Sequence, residues 1–309
     1  MQWITAELWE RLAHEETDAH RLGTHPRGWV DRYGDWVLET AEEGRASRWE
    51  EWREEIGRRF HFAPRGWLVR EWTRDARDQQ PARVVHGDDP GEITVREDGA
   101  AYVVRPGAGY SSGLFLDQRL NRRWVRGLRA RRTLNLFAYT CSFSVCSALG
   151  GGGTLSVDTS KRALARGREN FSSNAIPAGG EHRFVAEDVM RFVPRLARRR
   201  EEFDLIILDP PTFGRAEGRV FRLERDLPEL VRGCASLLVP GGWMLVACNN
   251  ARWNAADLRA VCAEALPRDA FSITPGETPP EIPRAAVSWR LRRASQNHRL
   301  TPPSRCCPG

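Results

Sequence analysis

Residues 203–213 read FDLIILDPPTF and join an apolar run to an abrupt polar ending. The first six residues have the composition of a buried strand, which ends at Asp209. The two prolines that follow lack a backbone N–H and fix an extended exit from the sheet. The loop therefore suits a planar base, which would stack on Phe213 and donate hydrogen bonds to Asp209 and to the carbonyl of Pro210. Taken alone, the same residues also fit a proline-rich turn after a core strand.

An earlier segment, residues 133–145, reads TLNLFAYTCSFSV and predicts a strand, a turn and the start of a helix. The strand covers 133–137, and the helix runs from Ser142 to about Leu149. Thr140 or Ser142 is its predicted N-cap, because a hydroxyl there accepts from the first N–H groups of the helix. Four consecutive glycines then end the helix.

A second short strand, residues 154–157, leads directly into Asp158. In a doubly wound sheet, a carboxylate at the tip of the second strand holds the ribose hydroxyls of nucleotide-type ligands. Asp158 follows the first turn by roughly 20 residues, as that role requires. A lone aspartate at a strand end is also a common helix cap, so the ribose assignment depends on the first turn being a ligand loop.

Strands and helices continue to alternate along the rest of the chain. The periodicity predicts helices at 161–173, 189–200, 227–238 and 255–266, with Asp226 capping the third, and strands at 183–186, 203–208 and 243–248. Strands that alternate with helices of about 10–15 residues imply an α/β fold, with a doubly wound, mostly parallel sheet covered by helices on both faces. Ligands bind such sheets at the carboxyl ends of the strands, where each motif above lies.

Several of these segments together resemble the class I S-adenosylmethionine-dependent methyltransferases, and most closely the group that modifies large-subunit (23S) ribosomal RNA. The shared segments are NLFAYT at 135–140, VD at 157–158, ED at 187–188 and DPPTF at 209–213. Two further segments strengthen the resemblance. GLFLDQR at 113–119 resembles the entry to the catalytic domain in that group, and WVDRYGD at 29–35 resembles its small domain.

The resemblance implies a Rossmann-like methyltransferase sheet, S-adenosylmethionine (SAM) as cofactor, and methyl transfer to a base in RNA, with ribosomal RNA as the expected substrate. The expected catalytic residues are Asp209, Pro210 and Phe213. The expected cofactor-binding residues are Phe137, Tyr139 and Thr140 at the methionine and sulfonium side, Asp158 at the ribose, Asp188 at the adenine amino group, and Phe115 and Gln118 closing the pocket.

The first turn departs from the usual pattern, because it has no glycine between Asn135 and Ser144 and carries Cys141 instead. Ligand loops of this kind use glycine for close backbone approach. The absence argues against an NAD-linked oxidoreductase, which needs Gly-x-Gly-x-x-Gly at this point. It leaves open a weakened cofactor site, and with it a noncatalytic RNA-binding protein on a methyltransferase scaffold.

The target atom has two candidate chemistries. A base nitrogen needs only positioned acceptors, and Asn249 and Asn250 are candidate contacts beside Asp209. Carbon 5 of a pyrimidine requires covalent attack by a cysteine at C6. The 209–213 loop contains no cysteine, which favours nitrogen. The alternative is a cytosine-C5 RNA methyltransferase with Cys248, at a strand end, as the nucleophile.

Composition agrees with an RNA partner and with a cytoplasmic protein. The net charge is +6 with a pI near 9.2, and Lys161 is the only lysine. Arginines cluster before the first sheet strand and near 195–200, where they suit phosphates and bases or simply a solvated helix face. No apolar run of membrane length and no signal peptide is recognisable. The seven cysteines show no metal-ligand spacing, so no metal site and no disulfide is expected.

The length of 309 residues suggests two domains. We expect a small mixed α/β domain at 1–110, with a helix near 47–59 and a hairpin at 93–104 that turns at Asp98-Gly99. The methyltransferase domain is expected at 111–296, and residues 297–309 are expected to form a disordered tail.

Overall fold

The structure is a computed structural model. It describes residues 1–44, 46–72, 81–108, 111–211, 213–216, 219–250, 253–282 and 286–295. The expected disordered tail at 297–309 lies outside the described residues.

The amino-terminal part contains a six-stranded sheet with strand order β1-β2-β3-β4-β5-β6. Its strands are β1 (Gln2–Trp3), β2 (Ala19–His25), β3 (Gly28–Tyr33), β4 (Trp36–Glu42), β5 (Gly66–Trp72) and β6 (Arg83–His86). β4 and β5 pair in parallel, and the other neighbours are antiparallel. Helices α1 (Ala6–His14) and α2 (Trp49–Phe60) cover one face, where alternate strand residues pack with Leu12 and Ile56.

A hairpin follows, formed by β7 (Ile93–Glu97) and β8 (Ala100–Val104). Asp98 and Gly99 both have positive φ, as the predicted Asp-Gly turn requires. The buried side chains of β8 pack with α4 and α5, and Asn170 and Asn174 accept hydrogen bonds from its backbone. The division of the chain into domains at residue 110 stays a prediction.

The second large sheet has seven strands in the order β11-β10-β9-β12-β15-β17-β16. The members are β9 (Arg132–Leu136), β10 (Gly153–Asp158), β11 (His182–Ala186), β12 (Phe203–Leu208), β15 (Leu238–Cys248), β16 (Phe271–Pro275) and β17 (Val287–Arg293). The first five strands of that order are parallel, whereas β17 is antiparallel to both of its neighbours. The predicted α/β, doubly wound, mostly parallel sheet is confirmed.

Helices cover both faces of this sheet. They are α3 (Arg119–Leu128), α4 (Ser142–Leu149), α5 (Lys161–Ser173), α6 (Val189–Arg198), α7 (Leu223–Ser236) and α8 (Ala255–Ala265). Because side chains alternate along a strand, Leu205 and Ile207 pack with α3–α5, while Ile206 and Leu208 pack with α6–α8. The strand order reverses between β9 and β12, so the loops after these two strands diverge and leave a crevice.

The start of α7 differs from the prediction. Between β12 and α7 the chain forms a short hairpin of β13 (Phe213–Ala216) and β14 (Arg219–Arg222), and the helix begins at Leu223. Asp226 lies inside its first turn and accepts a hydrogen bond from the N–H of Arg222 at 2.7 Å. Asp226 therefore stabilises the helix start from within, whereas the sequence indicated a cap before Leu227.

Two arginines of α3 form ion pairs with glutamates that lie far away in the sequence. Arg122 pairs with Glu97 of β7 at 2.6 Å, and Arg119 pairs with Glu281 at 2.8 Å. Both arginines are at least 98% buried. Removing one partner of such a pair leaves an uncompensated buried charge, which is strongly destabilising. Arg119 and Arg122 belong to the arginine cluster before the first sheet strand, for which RNA contact and a solvated helix face were both open, and their burial in ion pairs fits neither interpretation.

Candidate active site at the carboxyl ends of the strands

The loop after β9 has an unusual backbone. Phe137, Tyr139 and Cys141 all adopt left-handed conformations, with φ of 56°, 49° and 59°. A side chain with a Cβ in this region costs on the order of 1–2 kcal/mol per residue, which is why glycine is usual there. The loop thus makes the tight turn of a glycine-rich ligand loop without glycine, and other contacts must hold it in place.

Hydrogen bonds from several segments supply that support. The N–H of Tyr139 donates to Asp158 Oδ2 at 2.8 Å, and the N–H of Ala138 donates to the carbonyl of Val157 at 3.0 Å. Thr140 Oγ1 donates to the carbonyl of Gly113 at 2.7 Å, and its own carbonyl accepts from Asn170 Nδ2 at 2.8 Å. The loop is therefore fixed to β10, to the entry segment and to α5.

The Cys141 side chain fits because α5 has a glycine opposite it. A Cβ on Gly167 would lie 2.5 Å from Cys141 Sγ and 3.0 Å from its Cβ, which no packed structure tolerates. Cys141 is also the residue that precedes α4, and no side chain caps this helix. The predicted capping by Thr140 or Ser142 is wrong, because Thr140 bonds to Gly113 and Ser142 is already helical.

Asp158 ends β10 half-buried beside this loop. Its Oδ2 accepts from Tyr139, and its Oδ1 accepts from the N–H of Ser160 at 2.8 Å. A carboxylate oxygen has two lone pairs, so each oxygen can accept one further hydrogen bond. Two adjacent hydroxyls, such as those of a ribose, match these acceptors. The residues present fit an adenosine-containing cofactor.

Asp188 lies after β11, the strand next to β10. Its Oδ1 accepts from the N–H of Met190 at 3.0 Å and caps α6. The carboxylate therefore has a structural contact at the same edge of the sheet as Asp158. Its predicted role toward an adenine stays a prediction.

The entry segment reaches the site from the other side. Phe115 is 39% exposed, and its ring centroid lies 5.5 Å from that of Tyr139. Gln118 is buried, with Nε2 3.5 Å from Asp209 Oδ2 and with Oε1 accepting from Asn121 Nδ2 at 2.7 Å. Asn121 thus orients Gln118 toward Asp209. The sequence did not reveal the contact between Asn121 and Gln118, because it requires residues three apart to lie on the same side of the helical turn.

Asp209 is half-buried after β12. Burial raises the pKa of its carboxyl to about 7, with a smaller contribution from the negative charge of Asp117 and an opposing one from Arg122. Asp117 accepts a hydrogen bond from the N–H of Ala286 at 3.1 Å, and burial also raises the pKa of Asp117. Sequence reasoning missed Asp117, although it lies inside the segment quoted for the family resemblance.

The remaining predicted residues of the base-binding loop are described in part. Pro210 is buried next to Asp209. Phe213 begins β13, and its side chain lies outside the described part of the structure. The Phe221 ring, on the paired strand β14, lies 5.2 Å from the Phe137 ring. The hairpin after the proline loop therefore packs against residues 137–141, the predicted cofactor loop.

Cys248 lies at the end of β15 and is 1% exposed. Burial raises the pKa of its thiol to about 12, and the negative charges of Asp209 and Glu224 act in the same direction. The attacking form of cysteine is the thiolate, which this environment disfavours at neutral pH. The structure does not favour the cytosine-C5 alternative that uses Cys248 as the nucleophile.

Comparison with known proteins settles the family. A family model described as S-adenosylmethionine-dependent methyltransferase matches residues 73–293. The chain belongs to this family. SAM is accordingly the cofactor of the protein, and the expected resemblance to the class is confirmed.

Curated relatives include ribosomal RNA methyltransferases. The chain is 39% identical over 166 residues to the ribosomal RNA large subunit methyltransferase K/L of Hahella chejuensis, covering 52% of this chain and 22% of that protein. It is 34% identical over 189 residues to the ribosomal RNA large subunit methyltransferase of Deinococcus radiodurans, covering 60% and 46%. The chain thus spans less than half the length of these relatives.

Solved structures share the fold over most of the chain. SMU.776, solved in complex with SAH, superposes with a TM-score of 0.79 at 24% identity, covering 94% of this chain and 83% of that one. The SAM-dependent methyltransferase from Agrobacterium tumefaciens gives 0.72 at 21% identity, with 90% of both chains covered. These similarities support the fold described above.

The contact between Cys141 and Gly167 predicts a coupled effect of two substitutions. Gly167→Ala should destabilise the protein by about 1–3 kcal/mol and weaken SAM binding, because its Cβ displaces the loop. In a Cys141→Gly background, the same change should cost nothing or stabilise by up to about 1 kcal/mol, as alanine does inside helices. Urea unfolding and calorimetry of the four proteins measure the coupling. Equal costs in both backgrounds would contradict the proposed contact.

The raised pKa of Asp209 predicts a pH-dependent stability. Between about pH 4 and pH 7 the folded carboxyl keeps a proton that the unfolded chain has lost, and this bound proton stabilises the folded state. The stabilisation is complete at low pH and is lost as the pH rises through 7. Asp209→Asn lacks the titration. Its stability relative to wild type should be greater at pH 8 than at pH 5 by on the order of 1–2 kcal/mol. A difference that does not change with pH in urea unfolding would refute the assignment.

Proposed function

We propose that the protein transfers a methyl group from SAM to a base in RNA, with ribosomal RNA as its substrate. The observation that carries the proposal is the position of Asp209. This carboxyl adjoins Gln118 at one side of the crevice between β9 and β12, and the cofactor loop lies after the neighbouring strand. A base acceptor and a nucleotide-type site therefore share one edge of the sheet.

For the cofactor, we infer the following contacts. Asp158 accepts from both ribose hydroxyls, and Asp188 accepts from the adenine amino group. Phe137, Tyr139 and Thr140 surround the methionine side, while Phe115 and Gln118 close the site from the entry segment. The lone pairs left on the Asp158 oxygens support the ribose contact.

SAM, when bound, supplies a methyl group on a positively charged sulfur. The protein's part is to hold the target base in line and to exclude water. Asp209, once ionised, accepts from the amino edge of the base, the Pro210 carbonyl offers a second acceptor, and Phe213 stacks on the ring. Positioned acceptors suffice for a nitrogen target, and the protonated thiol of Cys248 supports nitrogen over carbon.

Two observations support RNA, and ribosomal RNA in particular. Relatives at 34–39% identity are named ribosomal RNA large subunit methyltransferases. The pI near 9.2 suits a polyanionic partner. A ribosomal substrate places the enzyme in the cytoplasm, and the proposed chemistry uses no metal. Within the described residues, no helix has the length and apolarity to cross a membrane.

A substitution at Asp158 tests the cofactor site. Asp158→Ala should weaken SAM binding by roughly 30–150-fold, because two hydrogen bonds to a carboxylate are lost. It also removes the acceptor of the Tyr139 N–H, so the loss should be at the upper end. Calorimetry measures the affinity, with Asp89→Ala as the control, since Asp89 lies in a loop outside the proposed site and accepts from the N–H of Gly91. Unchanged affinity in Asp158→Ala would rule out the assignment.

The substrate is tested by transfer of labelled methyl groups. We expect the protein to label deproteinised large-subunit ribosomal RNA from cells that lack its activity, and to leave transfer RNA and total protein unlabelled. Digestion to nucleosides then identifies the modified base. Label on protein or on small molecules with RNA inert would contradict the proposal. SAM binding without any transfer to RNA would favour the noncatalytic alternative.

A further inference from the structure

One face of the amino-terminal sheet is turned toward the methyltransferase domain. Tyr33, Leu38 and Leu68 lie on this face and belong to the same apolar cluster as Phe143 of α4. The Tyr33 hydroxyl also accepts a hydrogen bond from Ser112 Oγ at 2.9 Å. We call this side of the sheet the inner face. The outer face is the one that α1 and α2 cover.

The inner face carries a row of three side chains suited to RNA. The register places Trp29 of β3 opposite Thr40 of β4, and Thr40 opposite Arg70 of β5. Residues opposite one another on neighbouring strands point to the same face. The row therefore places an aromatic ring, a hydroxyl and a guanidinium on one face, and of these only the ring is partly exposed, because Thr40 and Arg70 are buried. Trp29 is partly exposed, and the Arg21 guanidinium lies 4.9 Å from the centroid of its ring.

Arg70 is a buried cation with incomplete pairing. The residue is 8% exposed, and its Nη2 donates to the carbonyls of Pro106 and Ala108 at 2.8 and 3.2 Å. Its Nε has no hydrogen-bond acceptor, and Arg70 takes part in none of the direct ion pairs found among the described residues. A buried charge without a direct counter-ion is costly, and its positive potential reaches the nearby surface.

This surface is continuous with the active site. The 3₁₀ helix Leu116–Gln118 contacts β2, the strand of Arg21. Arg21 interacts electrostatically with Asp117, which in turn interacts with Asp209. Arg70 interacts electrostatically with Tyr139 of the cofactor loop. A nucleotide on the inner face would thus lie next to a base held at Asp209.

We propose that the partly exposed part of the inner face, at Trp29 and at Arg21 with its ionic partner Asp31, is an RNA-docking surface, on which an unpaired nucleotide next to the target stacks on the Trp29–Arg21 pair. The positive charge of Arg70 attracts the phosphate backbone of the RNA. Its hydrogen bonds also hold the turn at 105–108 beside the stacked base. Unpaired RNA bases are typically bound by stacking on aromatic rings and guanidinium planes of sheet surfaces. The inference rests on the proposed RNA substrate and adds the surface that positions it.

The test uses the full-length protein and deproteinised large-subunit ribosomal RNA in filter binding. Trp29→Ala should weaken RNA binding by about 5–50-fold at both roughly 50 and 200 mM salt, because stacking is not screened. Arg70→Gln should weaken binding by about 5–10-fold at the lower salt concentration and less at the higher one. SAM affinity of Trp29→Ala should stay within about twofold of wild type, since stacking on RNA does not involve the cofactor.

A matched control is available on the outer face. Trp49 starts α2, is also partly exposed, and stacks on His86 away from the inner face. Trp49→Ala should bind RNA as wild type does. Should Trp29→Ala fail to fold, Trp29→Leu keeps the apolar volume without the ring and should show the same loss.

The outcomes separate the two proposals. Wild-type affinity for RNA in Trp29→Leu, or an equal loss in Trp49→Ala, would overturn the docking surface while leaving the methyl transfer intact. A wild-type protein that binds SAM but neither binds nor methylates RNA would overturn the proposed function itself.

Discussion

The hydrogen bond from the Tyr139 N–H to Asp158 is the contact on which the candidate site depends. It joins the ends of two neighbouring strands and holds a loop whose three left-handed residues all carry side chains. Most ligand loops achieve this turn with glycine. Here the strain is offset by bonds to β10, the entry segment and α5, and the space for Cys141 comes from Gly167 on the facing helix. The glycine that the loop lacks is therefore found on the facing helix, where it leaves room for the Cys141 side chain.

Arginine has two distinct roles in this chain. On α3 it forms buried ion pairs, which connect the hairpin and the segment around Glu281 to the catalytic sheet. On the amino-terminal sheet, Arg70 is buried without a direct ionic partner, and Arg21 lies over a tryptophan. Local sequence does not distinguish these roles, because both occur in segments rich in arginine. Arg21 also pairs with Asp31 at 2.8 Å, so Arg70 differs from the others in taking part in none of the direct ion pairs found among the described residues. The carboxylates that pair with the other arginines lie as many as 162 residues away in the chain.

The sequence predicted the parts of the fold that depend on local patterns. The apolar run at 203–208, the helix at 161–173 and the Asp-Gly turn all occur as expected. The six-stranded sheet was not predicted in detail, because its strands carry many tryptophans and charged residues and show little apolar–polar alternation. The antiparallel strands β16 and β17 were missed for a similar reason. Polar residues on one face of β17 weaken its apolar pattern.

The sequence motifs located the carboxylates of the site, but the surroundings of these carboxylates could be seen only in the structure. The spacing placed Asp158 and Asp209 at strand ends, but neither the Asp117 charge beside Asp209 nor the burial of Cys248 has a local sequence signal. The first depends on packing between segments about 90 residues apart, and the second on the burial of the end of β15 in the core of the sheet. Burial keeps the Cys248 thiol protonated, so it is a poor nucleophile, and this favours a nitrogen over carbon 5 as the methylated atom.

Hydrogen–deuterium exchange with and without SAM tests the central claim, that the loop between β9 and α4 is the cofactor site. We predict that SAM slows exchange in peptides covering 137–141, 158–160 and 188–190, while peptides covering α1 and α2 stay unchanged. Protection confined to other segments, with the 137–141 amides exchanging at the same rate in both states, would contradict it.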